Sequence, residues 1–69
     1  MMATLEELRQ EIKDEARHIG RRPYSHNIVN LVLRQIHDGF GAAEANRAIR
    51  DFGLERKGWQ QRPDLEAQA

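Results

Sequence analysis

Three histidines, His18, His26 and His37, are the residues of this 69-residue sequence best suited to acid–base work or metal ligation. Their mutual spacing matches no ligand set. Asp14 and His18 stand four positions apart, one turn of a helix, and could share a metal; two ligands do not make a site, and a surface hydrogen-bonded pair is the plainer reading. Ser25 and His26 are adjacent, but a serine nucleophile needs a base that a third group orients, and Ser25 has a structural use as a helix cap. Gly39 and Gly41 lack the following Lys-Ser/Thr of a phosphate-binding loop. With no cysteine, disulfides and cysteine-based zinc sites are impossible. The sequence therefore points away from an enzyme, and no metal and no cofactor is expected.

The elements that hold these side chains read as helices. Thr4-Leu5-Glu6-Glu7 has the form of a capping box, and Leu5, Leu8, Ile12, Ala16 and Ile19 follow at helical spacing, predicting a first helix over about 4–19 that stops at Gly20. Arg21-Arg22-Pro23 is a connector, because proline forces its predecessor out of helical space. Ser25 then reads as the N-cap of a second helix over 25–38, with Tyr24 and Val29 placed to form a hydrophobic staple. Gly39-Phe40-Gly41 breaks the pattern, and a third helix over 42–52 presents Ala45, Ala48, Ile49 and Phe52. Gly53-Leu54 reads as a Schellman ending that folds Leu54 back on Ile49.

The expected fold is all-α: one three-helix domain over 1–59 with helix 2 central, followed by a mobile polar tail over 60–69. The apolar residues of helix 2 cover more of its circumference than one neighbour can bury. Ile28, Leu31 and Val32 are therefore the expected interface of a homodimer, the staple that so small a core calls for.

Acidic and basic residues balance at eleven each, which removes the simplest case for nucleic acid or a membrane surface as partner. Residues 21–62 are nevertheless mildly basic, with eight bases to four acids. No apolar run approaches the roughly 20 residues that cross a bilayer. The opening residues lack the basic and apolar regions of a secretory signal, so the expected location is cytoplasmic.

Helices 2 and 3 have the outline of a helix-turn-helix, with Arg47 and Arg50 as candidate DNA contacts. Register argues against it. With the turn glycine at Gly39, Arg34 and Gln35 fall where an apolar and a small residue belong; at Gly41, Arg47 and Arg50 fall on the buried face. Over about a dozen residues, Gly39-Phe40 and Glu44-Ala45-Asn46-Arg47-Ala48-Ile49-Arg50 resemble the glycine-phenylalanine loop and second helix of ubiquitin-associated domains. Asp38 stands where that family has methionine, and its ubiquitin-binding function is not carried over.

Trp59, set among Arg56, Lys57 and Gly58, either closes the bottom of a small core or makes a contact. Trp, Tyr and Arg dominate interface hot spots, so Arg21, Arg22, Tyr24, Arg56, Lys57 and Trp59 are the candidate partner-binding residues. The functional expectation is a small protein-interaction module, an adaptor, inhibitor or regulator, similar in size and style to the accessory proteins that phages and mobile elements encode. The alternative is a DNA-binding regulator that uses Arg47 and Arg50.

Overall fold

A computed structural model describes residues 3–62 and Leu65. Among them the chain forms three α-helices, α1 (Leu5–Ala16), α2 (Ser25–Phe40) and α3 (Ala42–Asp51), followed by a 3-10 turn over Leu54–Lys57. No strand occurs among the described residues. The capping box of α1 is present as expected: Glu7 donates its N–H to the Thr4 hydroxyl, and Thr4 donates its N–H to the Glu7 carboxylate, both at 3.1 Å.

α1 ends at Ala16, three residues earlier than its apolar spacing predicts. Beyond it the backbone tightens to bonds three residues back, from His18 to Glu15 and from Ile19 to Ala16, and the N–H groups of Arg21 and Arg22 both turn back to the His18 carbonyl. Gly20, at φ 88°, makes that reversal possible.

Ser25 does not cap α2. Tyr24 holds the N-cap position with helical dihedrals and no side-chain cap, and it is half exposed. Ser25 lies one residue inside, fully buried, and its hydroxyl donates to Glu15 on α1 at 2.7 Å. The hydroxyl thus serves a neighbouring helix instead of its own backbone.

α2 also runs two residues further than expected. Gly39 needs no positive φ, so the helix continues through Phe40, and a single residue, Gly41 at φ 102°, turns the chain into α3. Gly41 is the N-cap of α3, and Glu44 supplies the acid in its first turn, as the sequence implies. At the far end Gly53 is left-handed, its N–H donates to Arg50, and Leu54 is buried in the same cluster as Ile49.

The core joins Leu8, Ile12 and Ala16 of α1, Val29, Val32, Leu33 and Ile36 of α2, and Ala45, Ala48 and Ile49 of α3 to Leu54. α2 packs against both other helices. Small alanines on the inner face of α3 let two helices approach closely without large side chains to fill the gap. Across the open side, Arg9 of α1 reaches Asp51 of α3 at 2.8 Å and lies 5.0 Å over the Phe52 ring. This hydrogen bond, with Coulombic help from Arg9, Arg50 and Arg47, holds the Asp51 carboxyl below its ordinary range, and the capping box does the same for Glu7.

Two outcomes follow. Ser25→Ala leaves a part-buried carboxylate without its donor and should cost about 1 to 3 kcal/mol in urea denaturation. Glu7 and Asp51 have folded pKa values below their unfolded ones. Their stabilisation is therefore complete above the ordinary carboxylate range and is lost as pH falls through the depressed folded values. Urea titrations between about pH 7 and about pH 3 should show that loss, with a smaller acid dependence in Asp51→Asn.

Candidate functional site

Trp59 organises the most distinctive surface. After the 3-10 turn, Gly58 at φ 110° redirects the chain, and the Trp59 N–H donates to the Leu54 carbonyl at 3.1 Å. The indole then lies along α2, where its Nε1 donates to Asn30 Oδ1 at 2.7 Å and its ring stacks on His26 with centroids 4.4 Å apart and planes inclined by 26°. His26 and Asn30 are one helical turn apart, so they present a ring and an acceptor to the same incoming side chain. Trp59 is partly buried and packs against the core as well, so it both closes the core and stays reachable.

Beyond the stack, His26 forms one wall of an open groove of about 390 Å³, whose other walls are Ile19, Gly20, Arg21, Arg22 and Pro23. The stack therefore joins two segments far apart in sequence, the arginine connector and the Arg56-Lys57 turn that leads into Trp59. Arg21 and Arg22 line the groove that His26 borders, Trp59 stacks on His26, and Arg56 and Lys57 precede Trp59 in the 3-10 turn. Tyr24 does not line the groove, but it lies beside Arg22. The Arg22 guanidinium lies 6.0 Å from the Tyr24 ring centroid, and Tyr24 shares a stripe of α2 with Ile28 and Leu31.

The cations divide into two kinds. Arg34, Arg47 and Arg50 lie 3.6 to 3.8 Å from Asp38, Glu44 and Asp51 respectively, and Arg9 is bound to Asp51. Arg22 reaches Glu15 only at 3.9 Å. Among the described residues, Lys13, Arg17, Arg21, Arg56 and Lys57 have no carboxylate within 4.0 Å. A cation without an internal partner can pair with an incoming acid without first giving up a contact of its own.

The remaining candidates are placed as follows. Arg47 and Arg50 are exposed on α3, but the one-residue link at Gly41 replaces the three-residue turn expected of a helix-turn-helix. The same continuation of α2 through Gly39 and Phe40 removes the loop that carries the likeness to ubiquitin-associated domains. Of the three residues expected at a dimer interface, Val32 is taken up by the chain's own core, Ile28 is partly buried and Leu31 is exposed. Asp14 accepts from Gln10 at 3.0 Å, and α1 ends before His18 could stand one turn above it. Ser25 is directed at Glu15 and His26 at Trp59, so the pair does not form a nucleophile with its base. No group of three or more His, Cys, Asp or Glu side chains that could hold a metal occurs among the described residues. None of the described helices is long and apolar enough to cross a membrane.

Asn46 was not legible as a special residue. It is buried on α3, and its amide clasps the backbone of Arg62, with Nδ2 donating to the carbonyl at 3.0 Å and Oδ1 accepting from the N–H at 2.7 Å. Gln61 adds a bond to Glu55 at 3.1 Å. Gln61 and Arg62, which fall in the expected tail, are thus hydrogen-bonded to the body of the fold; the rest of the expected tail, apart from Gln60 and Leu65, lies outside the described residues.

No protein-family model, no curated protein and no solved structure matches this chain. The surface must be read from its own chemistry. Asn30→Ala removes the indole's acceptor: the Trp59 fluorescence maximum should shift to the red and stability should fall by about 1 kcal/mol, whereas an unchanged spectrum would mean the stack on His26 alone fixes the ring.

Proposed function

We propose that the chain is a small, non-catalytic protein-interaction module that binds an acidic surface of another protein through Arg21, Arg22, Arg56, Lys57 and Trp59. One observation supports this reading: the Trp59 ring stacks on His26, which borders the groove lined by Arg21 and Arg22, and three of the four cations Arg21, Arg22, Arg56 and Lys57 have no acid of their own among the described residues. Such a surface supplies what tight interfaces use, an aromatic anchor inside a rim of charge that steers an oppositely charged partner. The groove beside His26 gives that partner a concave place to insert a side chain.

This role is that of an adaptor, inhibitor or regulator, and it needs no cofactor. The DNA-binding alternative draws less support, because Arg47 and Arg50 stand beside acids of α3 and the link between α2 and α3 is one residue long.

The test is affinity capture from lysate of the source organism, with and without nuclease, using the wild-type chain and the Arg56→Glu/Lys57→Glu double variant. A stoichiometric protein partner that survives nuclease and falls at least about tenfold with the variant is expected. Both substituted side chains are exposed, so the circular dichroism of the variant should match the wild type. Recovery that depends on nucleic acid, or that ignores the charge reversal, would overturn the proposal.

A further inference from the structure

We infer that the outer face of α2 seats a second copy of this chain, with the two α2 helices running antiparallel. Apart from Arg22, which borders both, this surface is separate from the Trp59 stack, and the inference does not rest on the function proposed above. Tyr24, Ile28 and Leu31 recur at spacings of four and three and so form one stripe along α2. Tyr24 is 51% and Leu31 58% exposed, the two most exposed large apolar side chains among the described residues, and Ile28 lies partly buried beside them. Val29, Val32, Leu33 and Ile36 occupy the opposite side, inside the core.

Charge selects the occupant and its direction. One end of the stripe carries Arg22 beside the Tyr24 ring, and the other carries Asp38. Leu31 stands midway between positions 24 and 38, and Asp38 projects close to the same side of the helix as Leu31 at 100° per residue. Antiparallel pairing about Leu31 therefore sets each Leu31 against its twin and each Arg22–Tyr24 end against the other copy's Asp38. Parallel pairing would set Asp38 on Asp38 and Arg22 on Arg22, which like charges oppose. Among the described residues Asp38 is engaged only by exposed neighbours, Arg34 at 3.8 Å and His37 at 3.4 Å, so it can turn to a second copy at little cost.

A different partner would have to bring an acid for one end, a base for the other and an apolar centre between them. The chain's own α2, reversed, with the Arg22 and Tyr24 that lead into it, brings all three in that order. A helix of this length covers a strip about 24 Å long. Two such strips bury on the order of 1,000 Å² in total, the low end for specific interfaces, so the expected dimer is weak and in exchange.

Sedimentation equilibrium on the whole chain from about 10 µM to about 1 mM should show the mass rising from 8.0 kDa toward twice that value. Leu31→Glu, at an exposed position, should keep the helical circular dichroism and weaken the dimer at least about tenfold. Direction is read by cross-linking, which the absence of native cysteine makes clean. Asn27→Cys and Arg34→Cys flank the stripe without belonging to it; oxidised as an equal mixture, they should join mainly to each other in an antiparallel pair. A mass of 8.0 kDa at every concentration, a dimer indifferent to Leu31→Glu, or each cysteine variant joining mainly to itself would overturn the inference.

Discussion

The hydrogen bond from Ser25 to Glu15 fixes the corner on which the rest of this fold is built. It ties the last full turn of α1 to the first residue of α2, and the hydroxyl is wholly shielded from water. A part-buried carboxylate and a buried hydroxyl are each expensive to leave unmatched, so the two helices have one favourable relative placement instead of a range of them. That placement decides how the nine intervening residues must run. They fold back tightly, lift Arg21 and Arg22 onto the rim of a groove, and point His26 away from the core toward the chain's far end.

The second constraint is scarcity. The described core is built from short aliphatic side chains, and its inner α3 face from alanines, so apolar burial alone leaves little margin. The chain supplements it with polar ties between distant segments: Arg9 to Asp51, Asn30 to Trp59, Asn46 to the backbone of Arg62. Each joins elements that are not neighbours along the chain. The ties also work as a set, because each shortens the loop that the next must close. Trp59 stands in two of these roles at once, as a wall of the core and as the ring stacked on His26.

What could be read from the sequence follows from which forces are local. The three helices, the capping box at Thr4, the left-handed Gly53 and the return of Leu54 to the core are set by residues within a few positions of one another. Where reading failed, a distant partner had outbid a local preference. Ser25 has the right chemistry for a cap, but Glu15 offers a charged acceptor in a dry place. Gly39 has the right chemistry for a break, but Ile36 and Ala42 are both buried and the helix continues between them until Gly41. The site was legible in part: the arginine connector and the Arg56–Trp59 segment stood out by composition. Their junction at His26 and Asn30 did not, although two polar residues one turn apart on α2 are the available signal that an indole needs a place to lie.

Asn46 grips position 62 entirely through main-chain atoms. Such a grip is indifferent to side-chain identity, with proline the exception because it has no N–H to give. The side chain at position 62 can therefore be exchanged without loss of these two bonds, whereas Asn46 cannot: aspartate would lack the donor, and any apolar residue would lack both functions. In this fold a tolerant position and a demanding one sit on opposite sides of the same pair of hydrogen bonds.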